Sequence, residues 1–510
     1  MVTFPLKAAA VDIGSNAIRL YAAEFRDQQE YAQIISDRYP VRMGHNVFLT
    51  GRLSDEVIAS AVDALKKIRV RLQEGGITRY RAVATAAVRE SDNGDEFVRK
   101  VMEEAGLNVE TISGFEEARL IHRAVKHRLD LGNDQWMLVD LGGGSVEVSL
   151  IDANGILWSE SHSMGSVRLL EELGDTDRHP GRFNRIMTEY IATLRVPSLL
   201  RNKNPAGFIA TGGNIESLAK LGGTAGERGV LQLRMQDLRL LLRKLMAVSY
   251  HERIRQFELR EDRADVILPA GLVYDRIAEL VGADKIIVPQ VGLKEGILLD
   301  LVDGLQDHEP LWEKQTLESA VTLGRKYLFD EQHAVQVARI ALSLFDQLKQ
   351  THGLNEKDRQ MLLASAILHD IGGFISYKKH HKHSMYIISQ SELPSFSPAE
   401  MRMIANVARY HRKSVPQTRH APFAELDPQQ QERVARMTTL LRMADAMDRE
   451  HLQKIKAVRI ETGNAADDGR VLILHLQGTG DLLLERWALR SKSQFFSDKF
   501  NTRIELKIER

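Results

Sequence analysis

Two stretches of the chain end an apolar run in the same way. Ala10-Val11-Asp12-Ile13-Gly14-Ser15-Asn16 and Val139-Asp140-Leu141-Gly142-Gly143-Gly144-Ser145 each set an Asp two residues before a glycine and follow it with small polar residues. A phosphate group needs hydrogen-bond donors at close range and no bulky Cβ in the way. Gly and Ser at a tight strand-to-strand turn supply backbone N–H groups and a hydroxyl. Gly14, Ser15 and Asn16 offer these in the first loop, and Gly142, Gly143, Gly144 and Ser145 in the second. Asp12 and Asp140 stand where a strand leaves its sheet, a position from which a carboxylate can hold Mg2+ against phosphate oxygens. Glu147, two residues past the second loop, is a further candidate for that ion. Thr211-Gly212-Gly213-Asn214 adds a third Gly-rich turn, before a helix whose N-terminus suits an anion. Alone, each turn reads as a hairpin or connection; together the three read as a phosphate cleft.

The elements that must position these loops alternate along the first half of the chain. Leu6–Val11, Arg19–Phe25 and Tyr31–Ser36 read as strands, rich in Val, Ile, Ala and Tyr. Leu53–Gln73 has helical apolar spacing and a capping Ser54. Tyr80–Thr85, a helix near Asp95–Ala105 and a strand at Val109–Ser113 follow. A second series starts near Asp134, with strands at Trp136–Asp140, Val146–Ile151, Phe208–Thr211 and Lys285–Val288. Its helices fall at about Phe183–Leu200, Met235–Ala247, Ala264–Leu280 and after Gly292. Such alternation predicts α/β sheets covered by helices, and the two Asp-Gly loops suggest two variants of one unit.

From about Glu309 helical periodicity takes over, as in Ala334–Leu348 and Arg359–Leu368, and lasts to about Glu450. Strand character returns at the end, at Val471–Leu476, Leu482–Arg486 and Arg503–Ile508. The expected division is 1–132 and 133–308 as α/β domains, 309–455 as a helical domain and 456–510 as a small α+β cap. A chain of 510 residues is too long for one core.

Composition excludes several chemistries. The absence of Cys removes disulfides, thiolate metal sites and a Cys nucleophile. The N-terminus lacks the pattern of a signal peptide, and no apolar run approaches the ~20 residues that span a bilayer, so the expected location is cytoplasmic. With 69 basic and 69 acidic residues, global charge does not draw the protein to nucleic acid or membrane, and a polyanion site must come from local clustering.

Further blocks accompany the loops. Asp12-x-Gly-Ser-Asn-x-x-Arg19, Thr85-Ala-Ala-Val-Arg89, Ser113-Gly-Phe-Glu-Glu-Ala-Arg119, Asp140-Leu-Gly-Gly-Gly-Ser-Val-Glu147, Thr211-Gly-Gly213, Arg263-Ala-Asp265 with Pro269-Ala-Gly271, and Gly292-Leu-Lys-Glu-Gly296 occur in that order. As a set, over about residues 8–300, they resemble the exopolyphosphatase and guanosine pentaphosphate phosphatase family. The resemblance implies two actin-like (ribonuclease H-like) α/β domains with a cleft between them, Mg2+ as cofactor and a homodimer. It also implies a Glu of the Glu-Glu-Ala block as activator of the attacking water, which puts that role at Glu117, with Glu116 the neighbouring alternative. Arg89, after a strand and a small-residue turn, can offer bidentate donors to a phosphate; Arg19 is a weaker candidate. With no nucleophilic side chain required, direct in-line attack by water is the expected route.

The helical stretch carries a second set. His333, His369-Asp370 and Asp445 in Leu441-Arg-Met-Ala-Asp-Ala446 follow the order His…His-Asp…Asp, which resembles the metal-dependent phosphohydrolase family named for its His-Asp dyad. Imidazoles with carboxylates suit Zn2+, Mn2+ or Fe2+, and His380, His383 and His411 are available as further ligands. Around them Lys378, Lys379 and Lys382 form one basic cluster, and Arg409, Arg412 and Lys413 another, as a track for a polyanion. Sparse aromatic interleaving argues against single-stranded nucleic acid.

The sequence therefore predicts an exopolyphosphatase that removes terminal phosphate from inorganic polyphosphate processively. Guanosine pentaphosphate is the alternative substrate. A second alternative makes the HD-like helical domain the active nucleotide phosphohydrolase, with the actin-like half regulatory.

Overall fold

The structure is a computed structural model. It describes residues 4–27, 30–45, 47–173, 180–195, 205–226, 229–304, 311–391, 393, 396–464 and 470–509. The chain forms two compact units, residues 1–308 and 309–510.

The first unit contains two sheets built to one plan. In the first, β1 (Leu6–Ile13), β2 (Ile18–Phe25), β3 (Tyr31–Tyr39), β4 (Arg79–Ala84) and β5 (Val109–Thr111) lie in the order β3-β2-β1-β4-β5. The second adds β6 (Trp136–Leu141), β7 (Val146–Ile151), β8 (Ile156–His162), β9 (Phe208–Thr211), β10 (Thr224–Ala225), β11 (Leu231–Arg234) and β12 (Lys285–Val288), in the order β10-β11-β12-β9-β6-β7-β8. In both, three antiparallel strands are followed by parallel ones: β1 pairs with β2 antiparallel and β4 parallel, and β6 with β7 antiparallel and β9 parallel. The resemblance of the two Asp-Gly loops is thus a resemblance of register. Asp12 and Asp140 are each the next-to-last residue of the corresponding strand.

Local chemistry accounts for these elements. β1 is covered on both faces, so Ala8, Ala9, Ala10 and Val11 are all fully buried and the strand reads as a continuous apolar run. Helix Asp55–Glu74 starts where Ser54 accepts a hydrogen bond from the Val57 N–H, and it buries Ile58, Ala61, Leu65, Ile68 and Leu72 on one stripe. Helix Gly114–Arg128 starts where Ser113 accepts from the Glu116 N–H. Helix Phe183–Leu200 was expected longer than the observed Pro180–Ile191, and residues 196–200 lie outside the described residues.

Helix Leu293–Gly304 packs across helix Gly114–Arg128. Their closest approach is at Gly296, where a Cβ would stand 2.0 Å from the Leu120 carbonyl oxygen. That obstacle is backbone and cannot swing aside. Gly296→Ala should force the helices apart at a cost of about 1–3 kcal/mol, as overpacking does. Thermal unfolding of that variant should show a Tm lowered by several degrees; an unchanged Tm would refute the close contact.

In the second unit, helices Leu311–Lys326, Glu331–Gln347, Glu356–Leu368, His380–Ser389, Pro398–Arg409 and Pro428–Ala446 surround one core. Asn355, Ser397 and Asp427 begin three of them with capping boxes. A three-stranded sheet follows, β13 (Ile455–Asn464), β14 (Arg470–Gly478) and β15 (Thr502–Glu509), with β14 central. Ile455, Leu474 and Leu476 of the sheet share that core with Leu362 and Leu441. The terminal segment is therefore a layer of the helical unit rather than a cap with its own core. The strand expected at Leu482–Arg486 is instead the start of helix Leu483–Lys492. Its buried residues Glu485, Ala488 and Leu489, with Leu482 just before its start, have a helical spacing that a short apolar window hides.

Candidate active site

The two Asp-Gly loops face each other across a cavity of about 150 Å³. Its lining includes Asp12, Gly14, Ser15, Asn16, Glu117, Asp140, Gly142, Gly143, Gly213 and Asn214. The loops touch: a Cβ on Gly143 would lie 2.8 Å from the Ser15 Cβ. Glycine is required there so that the two halves can approach. The N–H groups of Gly14 and Gly142 close their own turns, onto the Ala17 and Ser145 carbonyls at 3.2 and 3.0 Å. These two glycines shape the loops rather than donate to a ligand.

The pseudo-symmetry breaks where the chemistry lies. Across the antiparallel pair, Asp12 stands opposite Arg19, and Asp140 opposite Glu147. Arg19 Nη1 donates to Asp12 Oδ2 at 2.9 Å, so the first Asp is neutralised and Arg19 is committed to it. The second Asp faces another carboxylate. Glu117, Asp140 and Glu147 each bring an oxygen within 4.8 Å of the others, all buried, while Asp12 is not part of that group.

Each of the three is held by its element. Glu147 Oε1 accepts from Ser145 Oγ at 2.6 Å and from Ser161 Oγ at 2.9 Å. Thr211 Oγ1 donates to Asp140 Oδ1 from the neighbouring parallel strand. Glu117 leaves the first turn of its helix and is 6 % exposed, with Arg89 Nη1 3.8 Å from its Oε2. Neither Glu117 Oε2 nor Glu147 Oε2 has a hydrogen-bond partner. Burial, then the charge of Asp140, raises Glu147 to about 7. Burial is also the first cause that lifts Asp140 to about 6, against the Thr211 hydrogen bond. Glu117 is pushed well above the carboxylate range by burial and then by Glu147, with Arg89 opposing. Buried carboxylates with unpartnered oxygens that raise one another's proton affinity are relieved either by a proton or by a cation. The oxygen-only donor set fits Mg2+.

Glu116, the neighbouring alternative to Glu117, is turned away. Its carboxylate accepts from Arg119 Nε at 2.7 Å and Arg81 Nη2 at 3.1 Å, and Asp300 of helix Leu293–Gly304 binds the same two arginines. This buried network fixes the helix that carries Glu117. Arg89 donates to the Ile112 carbonyl at 2.9 Å, which holds it beside Glu117.

Other expected phosphate contacts stand off the cavity lining or serve its turns. Gly144, Ser145 and Thr211 do not line the cavity, and neither do Glu147 and Arg89, which stand beside Glu117. Gly144 packs against Phe48 and Ala86, where a Cβ would stand 2.5 and 2.7 Å away, and the two hydroxyls are turned to carboxylates. Gly212, on the lining, has φ +103, with a Cβ position 2.8 Å from the Leu141 carbonyl oxygen, so its glycine serves the turn. Missing from the expectation were Thr85, Ser166, Arg263 and Lys294, which also line the cavity. Arg263 and Lys294 stood in recurring blocks, but nothing in their spacing showed which way they point. Arg263 Nη1 donates to Asn214 Oδ1, and Asn214 Nδ2 to Ser166 Oγ at 3.1 Å. Burial and the charge of Arg19 pull Arg263 down to about 10, against the charge of Asp262.

A family model described as the Ppx/GppA phosphatase family matches residues 23–305. The chain belongs to the Ppx/GppA phosphatase family. A second model, described as Ppx/GppA phosphatase, domain III, matches residues 317–510. A curated relative in Aliivibrio fischeri (strain MJ11), a guanosine-5'-triphosphate,3'-diphosphate pyrophosphatase, is 28% identical over 448 residues, which are 86% of this chain and 87% of the relative. The crystal structure of an exopolyphosphatase from Cytophaga hutchinsonii superimposes with a TM-score of 0.54 at 28% identity, over 58% of this chain and 98% of that one. The α/β unit accordingly has the actin-like fold, and Ppx/GppA phosphatases hydrolyse phosphoanhydrides.

The domain III segment brings the second set of predicted residues together. His333, His369 and Asp445 form one buried group, and Asp370, His380 and His411 form another. His383 is half-buried on helix His380–Ser389 and joins neither. Of the basic residues, Lys378, Lys379, Lys382 and Lys413 are exposed, and Arg409 and Arg412 half-buried. The Arg412 guanidinium lies over the Tyr377 ring, 5.4 Å from its centroid, which joins the two basic clusters into one patch. Among the described residues no helix is long and apolar enough to cross a membrane.

Proposed function

We propose that this Ppx/GppA phosphatase is an exopolyphosphatase that removes the terminal phosphate of inorganic polyphosphate with Mg2+. The observation that carries the reading is the lining of the cleft. Apart from Ala17, Leu141 and Leu293, the residues around it are glycines, polar side chains and charges, with no aromatic ring to receive a base. A neighbouring cavity of about 430 Å³ shares Arg19, Arg263 and Lys294 with it and adds Arg38, Lys220 and Arg260, among the carboxylates of Asp37, Glu216 and Glu258. Cations outnumber carboxylates there, which suits a chain of phosphates.

Asp140 and Glu147 would hold the Mg2+ beside Glu117, and the ion would supply charge neutralisation at the phosphate oxygens. A cation beside these carboxylates lowers their proton affinity, so that Glu117 stands ionised. Its unpartnered Oε2 then orients a water and takes its proton. The water oxygen bonds to the terminal phosphorus as the bridging P–O bond breaks, and the shortened chain leaves as the phosphate anion. The loop around Gly143 and Ser15 holds the phosphoryl group in line, and Arg89 holds Glu117 in place. Arg19 keeps Asp12 from competing for it.

Guanosine pentaphosphate is the second reading, favoured by the curated relative that is named for it. Phosphate release from long-chain polyphosphate and from guanosine pentaphosphate, under the same Mg2+ concentration, separates the two. The higher kcat/KM is expected on polyphosphate, and a clear preference for the nucleotide would reverse the assignment.

A further inference from the structure

The ladder that sets Arg19 opposite Asp12 continues outward. On β3, Arg38 stands opposite Arg19, so Asp12, Arg19 and Arg38 form one row across the first sheet. The matching row of the second sheet is Asp140, Glu147 and Ser161. The second row gathers carboxylates beside Glu117, whereas the first leads from one carboxylate to two guanidinium groups. Like charges directly opposite one another on neighbouring strands repel. Burial, and then the charges of Arg260 and Arg19, hold Arg38 below its usual range, against the attraction of Asp262. A row of this kind costs stability, and an anion in front of it offsets the cost.

Both arginines of the row line the cavity of about 430 Å³. It adjoins the cleft, and Arg19, Gly213, Glu216, Arg263 and Lys294 belong to both linings. Six cations line it against three carboxylates, and one of the three, Asp37, is taken by Arg71 Nε at 2.9 Å. Arg38 is pinned: its Nη2 donates to Asp262 Oδ2. The same oxygen accepts from Nδ2 of Asn16, on the first phosphate loop, at 3.4 Å. Arg38 Nε is buried without a hydrogen-bond partner, as is Nε of Arg263, which is 5 % exposed. The guanidinium is thus held in one orientation with donor capacity unused, the arrangement that recognises phosphate oxygens. Lys220 joins it from the last turn of helix Gly213–Gly222, whose first turn lines the cleft.

We propose that the second cavity is a distal oligophosphate subsite, in which Arg38 and Lys220 bind phosphates remote from the bond that is cut and so set the preference between long and short substrates. The assignment rests on the reading of the carboxylate cleft as the centre of cleavage. Asp262 is a positioning residue here, since it lines neither cavity and ties Arg38 of one to Asn16 of the other. A substrate too short to extend past Arg19 and Arg263 uses the cleft alone. A longer one adds the contacts to Arg38 and Lys220, and its advantage in kcat/KM comes from them. The distal phosphates belong either to a linear inorganic chain or to the 3'-diphosphate of a nucleotide, because both offer the same oxygens.

The test compares kcat/KM for long-chain polyphosphate with that for tripolyphosphate, in the full-length chain with Mg2+. Arg38→Gln should lower the ratio of the two by about 10–100-fold, the worth of a hydrogen-bonded charge. Lys220→Gln, at an exposed position, should lower it by about two- to fivefold. If Arg38→Gln fails to fold, Lys220→Gln decides. A chain that cuts guanosine pentaphosphate and leaves polyphosphate intact removes the polyphosphate reading but not the subsite. The ratio is then read between guanosine pentaphosphate and guanosine triphosphate, which lacks the 3'-diphosphate, and the same falls are expected. A ratio unchanged in both variants on the pair that is cut overturns the subsite. An equal loss on both members of that pair does so too, because it marks a general effect on the cleft.

Discussion

Glu117→Gln should lower kcat for polyphosphate by about 10²–10⁴-fold, the usual contribution of a positioned general base, with KM little changed. The substitution keeps the volume of the side chain and its place in the first turn of the helix, and it removes the proton acceptor. Glu116, one residue earlier, provides the contrast. Its carboxylate is tied to Arg81 and Arg119 away from the cavity, so Glu116→Gln should first lower Tm and reach kcat only through the placement of the helix. Rapid-quench measurement of phosphate release, with binding followed separately, distinguishes the two. Near wild-type turnover in Glu117→Gln would remove the water-activating role from this residue.

The second large effect is on stability. Glu147 rises from the ordinary 4.5 to about 7 on folding. Each tenfold change in proton affinity is worth about 1.4 kcal/mol, so ionising this one buried carboxylate costs the metal-free fold about 3 kcal/mol. The sign follows from the direction. Below pH 4.5 the group is protonated in both states and costs nothing. As pH rises from 4.5 to 7 only the unfolded chain ionises freely, and stability falls. Asp140, raised from 3.8 to about 6, adds to the same trend. Metal-free protein should therefore lose thermal stability between pH 4.5 and 7, and Mg2+ should restore it by mass action. Glu147→Gln keeps an oxygen for the Ser145 and Ser161 hydroxyls and removes the charge. It should match the wild type near pH 4.5, exceed it in Tm at pH 8 without Mg2+, gain less from the ion, and turn over poorly. A Tm independent of pH in metal-free wild type, or a Glu147→Gln variant less stable at pH 8, would count against the buried carboxylate group.

Opposed effects on stability and turnover in one residue are what a binding site for a cation implies. At neutral pH the three carboxylates are kept together at a cost that a bound cation would offset. The Arg81–Glu116–Arg119–Asp300 network has the opposite character. Each charge there has its partner, and Asp300, although buried, is held below the ordinary carboxylate range by Arg119, Arg81 and Arg123. One cluster serves the ligand and the other serves the frame.

The elements of the first unit were legible because their signals are local. A buried strand is a run of Ala, Val and Ile, and a turn that a phosphate can approach needs glycine. The edge strand β8 was missed because its Ser-Glu-Ser-His end is polar, as an edge permits. In the second unit a helix with Leu482, Leu483 and Leu484 at its start imitated a strand. The histidine set was legible as an order of residue types, yet the carbonyls behind His369, His380 and His411 come from the turn before each and carry no side-chain signal.

By itself the sequence determined that two like loops end two like strands, that Glu116 and Glu117 begin a helix, and that His333, His369, Asp370 and Asp445 recur in a telling order. These follow from residue type and spacing, which the chain carries locally. Only the tertiary structure decided which of two equivalent aspartates is free. Asp12 and Asp140 have similar neighbours along the chain, and the difference that matters lies across the ladder, where one meets Arg19 and the other Glu147. It also decided between Glu116 and Glu117, since one turn of helix sends adjacent side chains about 100° apart, and the arginines that claim the first come from another strand and the same helix. Charge is compensated in space rather than along the chain, so the residues left uncompensated, and with them the candidate site, appear only when the sheets have formed.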